Sequence, residues 1–376
     1  MKKVIRSLLV MLVFIPVVYF QGVDARQAQE MFLLLGGMLV FSLFLDNIWL
    51  SMLMIWTIFS FILTGCKFGN NYLTNIFIGC VLYYCTKHSF KKEHIDFYLN
   101  AILWLVVANL IMMVLQLTGY DFMYQLIIRK QGVIEGYINN FDPGGLMGYK
   151  AAMGCLMALA VPILASRTHK WAIPTSLLLF VPLYISKSSI CVGGAVIALM
   201  FVLWYKIPKR IWVLTASAMV ILATLYVVKV DMPMGMMTTR FSQWKNVMHD
   251  AKVYPITGWG LDSFRNVTDK KKHVYAMNPT ITDGKVTHAD FWDNAHNLYI
   301  QGFFEFGLIF FVIIIGYGRD MATWFNRAVK EPNTLALAGF VLTFLIVSIA
   351  QFPIYLARTA CFIIPMAALA EIQMRT

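Results

Sequence analysis

The sequence predicts an all-α polytopic membrane protein with about 12 transmembrane helices and one long outside loop between helices 9 and 10. Three observations carry that expectation. The 376-residue chain is 59% hydrophobic and only 13% charged, against about 25% charge in a soluble domain. Twelve apolar runs approach the ~20 residues that a straight span needs. Lys and Arg gather in alternate short loops, as the positive-inside rule requires. A membrane β-barrel would show short alternating segments instead, and these runs do not alternate.

In chain order the runs cover 4–20, 31–45, 48–64, 72–85, 97–118, 146–165, 172–185, 190–205, 211–230, 298–317, 335–350 and 353–370. Residues 1–230 thus hold nine helices, 231–297 form the long loop, and 298–376 hold the last three. The first run follows Lys2, Lys3 and Arg6. A cleaved signal peptide is the rival reading there. The run is long enough for a span, however, and no small-x-small site follows it, which favours an uncleaved helix. Between the fifth and sixth helices an outside excursion, 119–145, is Gly-rich and aromatic, and its YQLII stretch suits a short interfacial helix. The seventh and eighth runs admit two readings: two separate helices, or one broken hairpin over 172–205.

Orientation follows from the basic residues. With the N-terminus in the cytoplasm, Lys87, Lys91 and Lys92, then Arg167 and Lys170, then Lys206, Lys209 and Arg210, then Arg319, Arg327 and Lys330 all fall inside. The opposite short loops hold Arg26, Lys67 and Lys187. Both termini are then cytoplasmic, and the loop 231–297 lies outside. The net charge of +12 is accounted for by this distribution, so it does not point to nucleic acid. The six cysteines lie in or beside apolar runs, without metal-ligand spacing and without a disulfide framework.

The stretch from Thr239 to Phe310 carries seven of the 19 acidic residues and four of the seven histidines. It is the long polar excursion of the chain, and it returns to the apolar phase through His296 and Asn297. His296 opens the tenth helix, with Asp293 or Asn294 available as its N-cap. A neutral imidazole there suits a general base, because its ordinary pKa lies near neutrality. A polar residue at the interface is the plainer reading of the same histidine. Glu305, nine residues on, is the carboxylate set well inside a span; it needs a buried partner, such as Arg358, or a proton.

Cations crowd the same side of the chain. Lys150, Lys187, Lys229 and Arg358 sit at outer helix ends, and Arg240 and Arg265 follow in the loop. Together they suit an anionic headgroup such as a lipid-linked diphosphate, which guanidinium groups clamp in bidentate fashion. Snorkelling to the interface is the plainer reading for Lys150 and Lys229. His249, His273 and His288 have no metal-site spacing. The sequence also has no Gly-rich nucleotide loop, nucleophile elbow or Cys/His pair. That argues against an ATP-driven pump and against a cytosolic nucleotide-sugar transferase.

With twelve helices, a long outside loop before the tenth and the sequence HNLYIQGFFEFG, the chain resembles the O-antigen ligase and O-antigen polymerase superfamily. The family signature is His-(Asn/Ser/Gln), nine residues, Gly, two residues, then Gly/Thr/Tyr. Here His296 and Asn297 precede Gly307 at that spacing, but Phe310 stands at the last position. Upstream, Arg240 and Trp244, then Pro255, Gly258, Gly260 and Phe264, are similar to the family's Arg…Trp…Pro-x-x-Gly-x-Gly…Phe run. Members carry a Ser-Arg-Gly stretch before the eighth helix; this chain has SKSS, with Lys187 in place of the Arg.

The resemblance implies glycan transfer at the periplasmic face of the bacterial inner membrane, from undecaprenyl diphosphate to an acceptor hydroxyl. The acceptor is lipid A core in ligases and another lipid-linked repeat unit in polymerases. It implies His296 as the base and Arg240, with Lys187, as holders of the diphosphate; Trp244, Asn297, Arg265, Arg358 and Glu305 complete the expected substrate site. It implies no metal and no cofactor. The partners are a lipid-linked glycan donor, a glycan acceptor and membrane lipid, with no nucleic acid. A transporter or flippase for a lipid-linked glycan is the competing class, and a glycan-binding member without activity is a third. No two-fold repeat supports the transporter.

Overall fold

The computed structural model describes residues 38, 47–63, 70–118, 150–214, 217, 234–261, 263, 264, 267, 277–282, 285–290, 295–328, 331–351 and 357–375. The expected helices at 4–20 and the excursion at 119–145 lie outside this set, as does most of the run at 211–230. Helices run from Ile48–Leu63 (α1), Asn70–Ser89 (α2), Ile95–Leu117 (α3), Lys150–Ser166 (α4), Ala172–Leu178 (α5), Phe180–Ile185 (α6) and Ser189–Lys206 (α7). They continue with Met234–Ala251 (α8), Leu298–Phe306 (α9), Leu308–Ala328 (α10), Pro332–Val347 (α11) and Ala357–Arg375 (α12). Among the described residues, two stretches, Lys92–Leu117 and Ser189–Lys206, are long and apolar enough to cross a membrane by length and composition.

The chain departs from the all-α expectation in one place among the described residues. Strands β1 (Met277–Thr282) and β2 (Lys285–Asp290) pair antiparallel within the long loop, with Thr282 opposite Lys285 and Met277 opposite Asp290. Helix α8 also lies in the segment that was expected to be loop.

Two compact units divide the chain. One comprises residues 85–237 and 321–376. Its centre is α4, buried along almost its whole length from Ala152 to Ala165. Small residues bring helices close to it, since in an apolar phase association rests on packing rather than on exclusion of water. A Cβ on Gly339 of α11 would stand 2.5 Å from Pro162, and one on Gly194 of α7 would stand 3.1 Å from Val347. Polar side chains tie the helix ends that the basic-residue pattern assigns to one side. Lys87 pairs with the buried Glu371 at 3.0 Å, and Arg167 reaches Asp96 at 2.5 Å and Asn100 at 2.7 Å. Lys206 donates to the carbonyl oxygens of Ala165 at 2.8 Å and Arg167 at 2.5 Å.

The other unit comprises residues 1–84 and 238–320. Asn47 caps α1 by accepting from the Trp49 and Leu50 amides at 3.0 and 3.3 Å. The Trp49 ring lies on Gly316 of α10, where a Cβ would stand 2.1 Å away, and its indole N–H donates to Asp320 at 2.8 Å. Trp56 of α1 reaches the Phe306 carbonyl at 3.0 Å. A cluster of Val247, Ala251, Phe264, Val267, Ala295, Phe303 and Phe304 joins α8, the turn after it and α9 into one core.

Candidate active site

The apolar run 298–317 is not one helix. Helix α9 stops after nine residues, and Gly307 turns the chain with φ 66° before α10 begins. Nine residues rise only about 13 Å, too little for a hydrocarbon core of about 30 Å. A helix that ends in an apolar phase must have its last four carbonyls satisfied. Here every one is. Phe303 accepts from the Gly307 amide at 2.8 Å, Phe304 from Trp259 at 2.8 Å, Glu305 from Gly260 at 3.0 Å, and Phe306 from the Trp56 indole at 3.0 Å. The Leu308 amide donates to Pro255 at 2.9 Å.

The Pro255–Gly260 turn therefore docks its backbone on the end of α9. Gly258 has φ 70°, and a Cβ there would stand 2.3 Å from the Glu305 carbonyl oxygen. A Cβ on Gly307 would stand 2.2 Å from the Ile256 carbonyl oxygen. Both positions need glycine for the left-handed backbone and for the close approach. The ring of Trp259 then stacks on Phe304 at 5.9 Å, and its indole donates to the Asp250 carbonyl of α8 at 2.8 Å.

At its other end α9 begins with Asn297, whose side chain accepts from the Tyr299 and Ile300 amides at 2.9 and 3.0 Å. Asn297 is the N-cap that sequence reasoning assigned to Asp293 or Asn294, because its extended backbone, φ −151° and ψ 112°, lets Oδ1 reach back over the first turn. His296 thus precedes the helix rather than opening it. It is partly buried and has φ 50°, an uncommon conformation for a residue with a Cβ.

The residue before it is held on both sides. The Ala295 carbonyl accepts from the Trp244 indole at 2.8 Å, and the Ala295 amide donates to Gln301 Oε1 at 3.1 Å. Gln301 Nε2 in turn donates to Glu305 Oε1 at 3.1 Å. Glu305 is fully buried and accepts from Gln301, one turn back on its own helix. Gln301 was missed by sequence reasoning, although its spacing of four residues from Glu305 was visible.

Arg240 and Trp244 stand on one face of α8, with Val247 and Ala251 continuing that face into the core. One turn, about 6 Å along the helix axis, separates Arg240 from the side chain that bonds the residue before His296. Phe310, the departure from the family signature, lies against Gly302, where a Cβ would stand 2.3 Å from its ring. The missing side chain at 302 makes room for the larger ring at 310.

Of the remaining expected site residues, Lys187 belongs to the other unit. It is exposed, with φ 51°, between α6 and α7. Arg358 is the second residue of α12, and its side chain lies outside the described residues, as does all of Arg265.

Comparison with known proteins adds one match. Residues 152–315 match a protein family described as O-Antigen ligase. The matched stretch takes in the SKSS turn, α8, the Pro255–Gly260 turn, His296 and α9. A search of the curated proteins finds no match.

Proposed function

Residues 152–315 belong to the O-antigen ligase family, and from that premise we propose that this chain moves a glycan from undecaprenyl diphosphate to an acceptor hydroxyl. The reaction takes place at the periplasmic face of a bacterial inner membrane, with lipid A core as the acceptor. His296 acts as general base. It removes the hydroxyl proton as the acceptor oxygen attacks the anomeric carbon of the glycan. The bond from that carbon to the diphosphate oxygen breaks, and undecaprenyl diphosphate leaves with the electron pair. Cations offset the charge that gathers on the leaving group. Arg240 holds the diphosphate, with Arg265 as a further cation of its unit; Lys187 and Arg358 are assigned to the donor from the sequence alone. Lys187 contributes a point charge where an Arg would contribute a fork. The scheme draws its driving force from the donor's own leaving group and uses no nucleotide, metal or cofactor.

One observation supports this reading above the others. The Arg240 helix is bonded through Trp244 to the residue before His296, so the helix that carries a cation and the turn that carries the base are joined within one unit by a part-buried contact. That is the pairing that a base-assisted displacement of a diphosphate requires.

The test uses purified protein, an undecaprenyl-diphosphate-linked glycan and either lipid A core or a second lipid-linked unit. His296→Ala is expected to lower transfer by roughly 10²–10⁴-fold, the usual contribution of a general base, while the protein still inserts. Full activity in that variant overturns the assignment. Arg240→Ala is expected to weaken apparent donor affinity. Glycan on lipid A core identifies a ligase, and lengthened lipid-linked chains identify a polymerase. Movement of the donor across sealed vesicles without a covalent product identifies the transporter instead.

A further inference from the structure

We infer that Gln301 and Glu305 are positioning residues that fix His296 through the peptide before it. The inference rests on the proposed role of His296 as base. Three buried groups make the connection: Ala295 at 0% exposure, Gln301 at 2% and Glu305 at 0%. The Ala295 amide can only donate, so Gln301 must turn its oxygen toward it. The amide nitrogen of Gln301 then faces Glu305, which accepts. Glu305 therefore dictates which way the Gln301 amide lies, and Gln301 dictates where the Ala295 peptide lies.

The chain of contacts continues in both directions. Glu305 is itself held through its carbonyl by the Gly260 amide at 3.0 Å, beneath Gly258. The far side of Ala295 is held by Trp244. On the other flank, Asn297 is locked as the cap of α9. His296 stands between two fixed residues in a left-handed backbone that disfavours any side chain. Such a conformation persists only where its surroundings determine it. The bracket of Trp244, Gln301 and Glu305 is that surrounding, and it turns a turn residue into a side chain of fixed direction. A base needs this more than a binding residue does, since a displacement of about 1 Å can cost roughly 100-fold in rate.

The experiment measures kcat and donor KM for transfer from an undecaprenyl-diphosphate-linked oligosaccharide, per amount of folded full-length protein judged by gel filtration in detergent. Gln301→Ala and Glu305→Ala are expected to lower kcat by roughly 10- to 100-fold with donor KM unchanged. Glu305→Gln keeps an acceptor for Gln301 and is expected to restore kcat to within roughly threefold of the parent. Should the buried alanine variants fail to fold, Trp244→Phe removes the opposite hold on Ala295 from a partly exposed site, and the same kcat loss is expected. Adding Gln301→Ala to His296→Ala is expected to cost nothing further, because the residue acts through the histidine.

A parent-like kcat in Gln301→Ala, or in Trp244→Phe where the alanine variants do not fold, overturns the inference while leaving an inactive His296→Ala in support of the proposed function. A Glu305→Gln variant as impaired as Glu305→Ala overturns it too, since the carboxylate charge would then act directly. An active His296→Ala overturns both readings together.

Discussion

Among the described residues, two helices follow a non-glycine residue in left-handed backbone, and the two turns are held in different ways. His296 has φ 50° and Lys187 has φ 51°, and these are the non-glycine residues with positive φ among those described. At His296 the turn is fixed from outside, by an indole from α8 and an amide from α9, and its helix is capped by the Asn297 side chain. At Lys187 the turn is closed on itself. Ser186 donates to the Leu183 carbonyl at 2.7 Å and accepts from the Ser188 amide at 3.3 Å, and Ser188 caps α7 without a side-chain bond. The difference suits two kinds of chemistry. Proton transfer requires hydrogen-bond reach, whereas attraction between charges falls only as the inverse of distance. A base must be aimed; a point charge on a long flexible stem need only be near.

The sharpest way to break the comparison is to add one methyl group at the far end of α9, the helix that His296 precedes, and another beneath Lys187. Gly258→Ala is expected to have the larger effect. Its Cβ meets the Glu305 carbonyl oxygen at 2.3 Å and the Phe306 amide nitrogen at 2.5 Å, and neither backbone atom can rotate aside. With the left-handed strain added, a loss of about 3–4 kcal/mol is expected, read as a large drop in folded yield or in the unfolding midpoint in detergent. An unchanged midpoint would mean that the Gly258 turn does not seat α9.

Gly154→Ala makes the corresponding change beneath Lys187, and its effect is expected to be smaller. A Cβ there meets Ser186 Oγ at 2.6 Å and Ser186 Cβ at 3.0 Å, which are side-chain atoms. Overpacking of this kind costs about 1–3 kcal/mol. Ser186→Gly in the same chain is expected to recover most of the loss, because the obstructing atoms are then gone. Gly258→Ala has no such rescue. If the second substitution fails to restore the unfolding midpoint, the crowding at Gly154 has another source.

The same contrast explains what could be read from sequence and what could not. The long runs at 97–118 and 190–205 correspond to helices Ile95–Leu117 and Ser189–Lys206, because uninterrupted apolar length is a strong signal. The break at Gly307 was hidden, since LYIQGFFEF and LIFFVIII read together as one apolar run of membrane length. What ends α9 is a backbone turn that arrives from about fifty residues upstream, and no local pattern reports that. The hairpin was legible and missed: Asp283–Gly284 stands between its strands, and an Asp-Gly pair is a strong short-range hairpin signal. Helix α8 was also legible, in the spacing of Trp244, Val247 and Ala251, but the segment was treated as one polar loop. His296 could be singled out by residue type and by its place before an apolar run. Its cap could not, because Asp293, Asn294 and Asn297 are equally suited by type, and it is the extended backbone at Asn297 that brings a side chain over the first turn. For Glu305, the neutral amide of Gln301 one turn back donates to the carboxylate, and the four-residue spacing made that contact legible.

The smallest expected effect separates strain from function at the two turns. At a positive φ, glycine avoids the cost that any side chain carries, so the Gly variant at each position is expected to be more stable than the Ala variant by about 1 kcal/mol. This should hold for both His296 and Lys187, since their φ values differ by one degree. Activity is expected to divide them. Both His296 variants lose the base and fall equally, whatever their stability. Lys187→Arg, which keeps the charge and adds a fork, is expected to retain transfer, and Lys187→Gly and Lys187→Ala are expected to weaken donor affinity to the same degree. Unfolding midpoints and donor KM measured on the same preparations check both halves. If glycine at 187 restored activity above alanine, the turn would contribute through its backbone, and the distinction between an aimed base and a nearby charge would fail at that site.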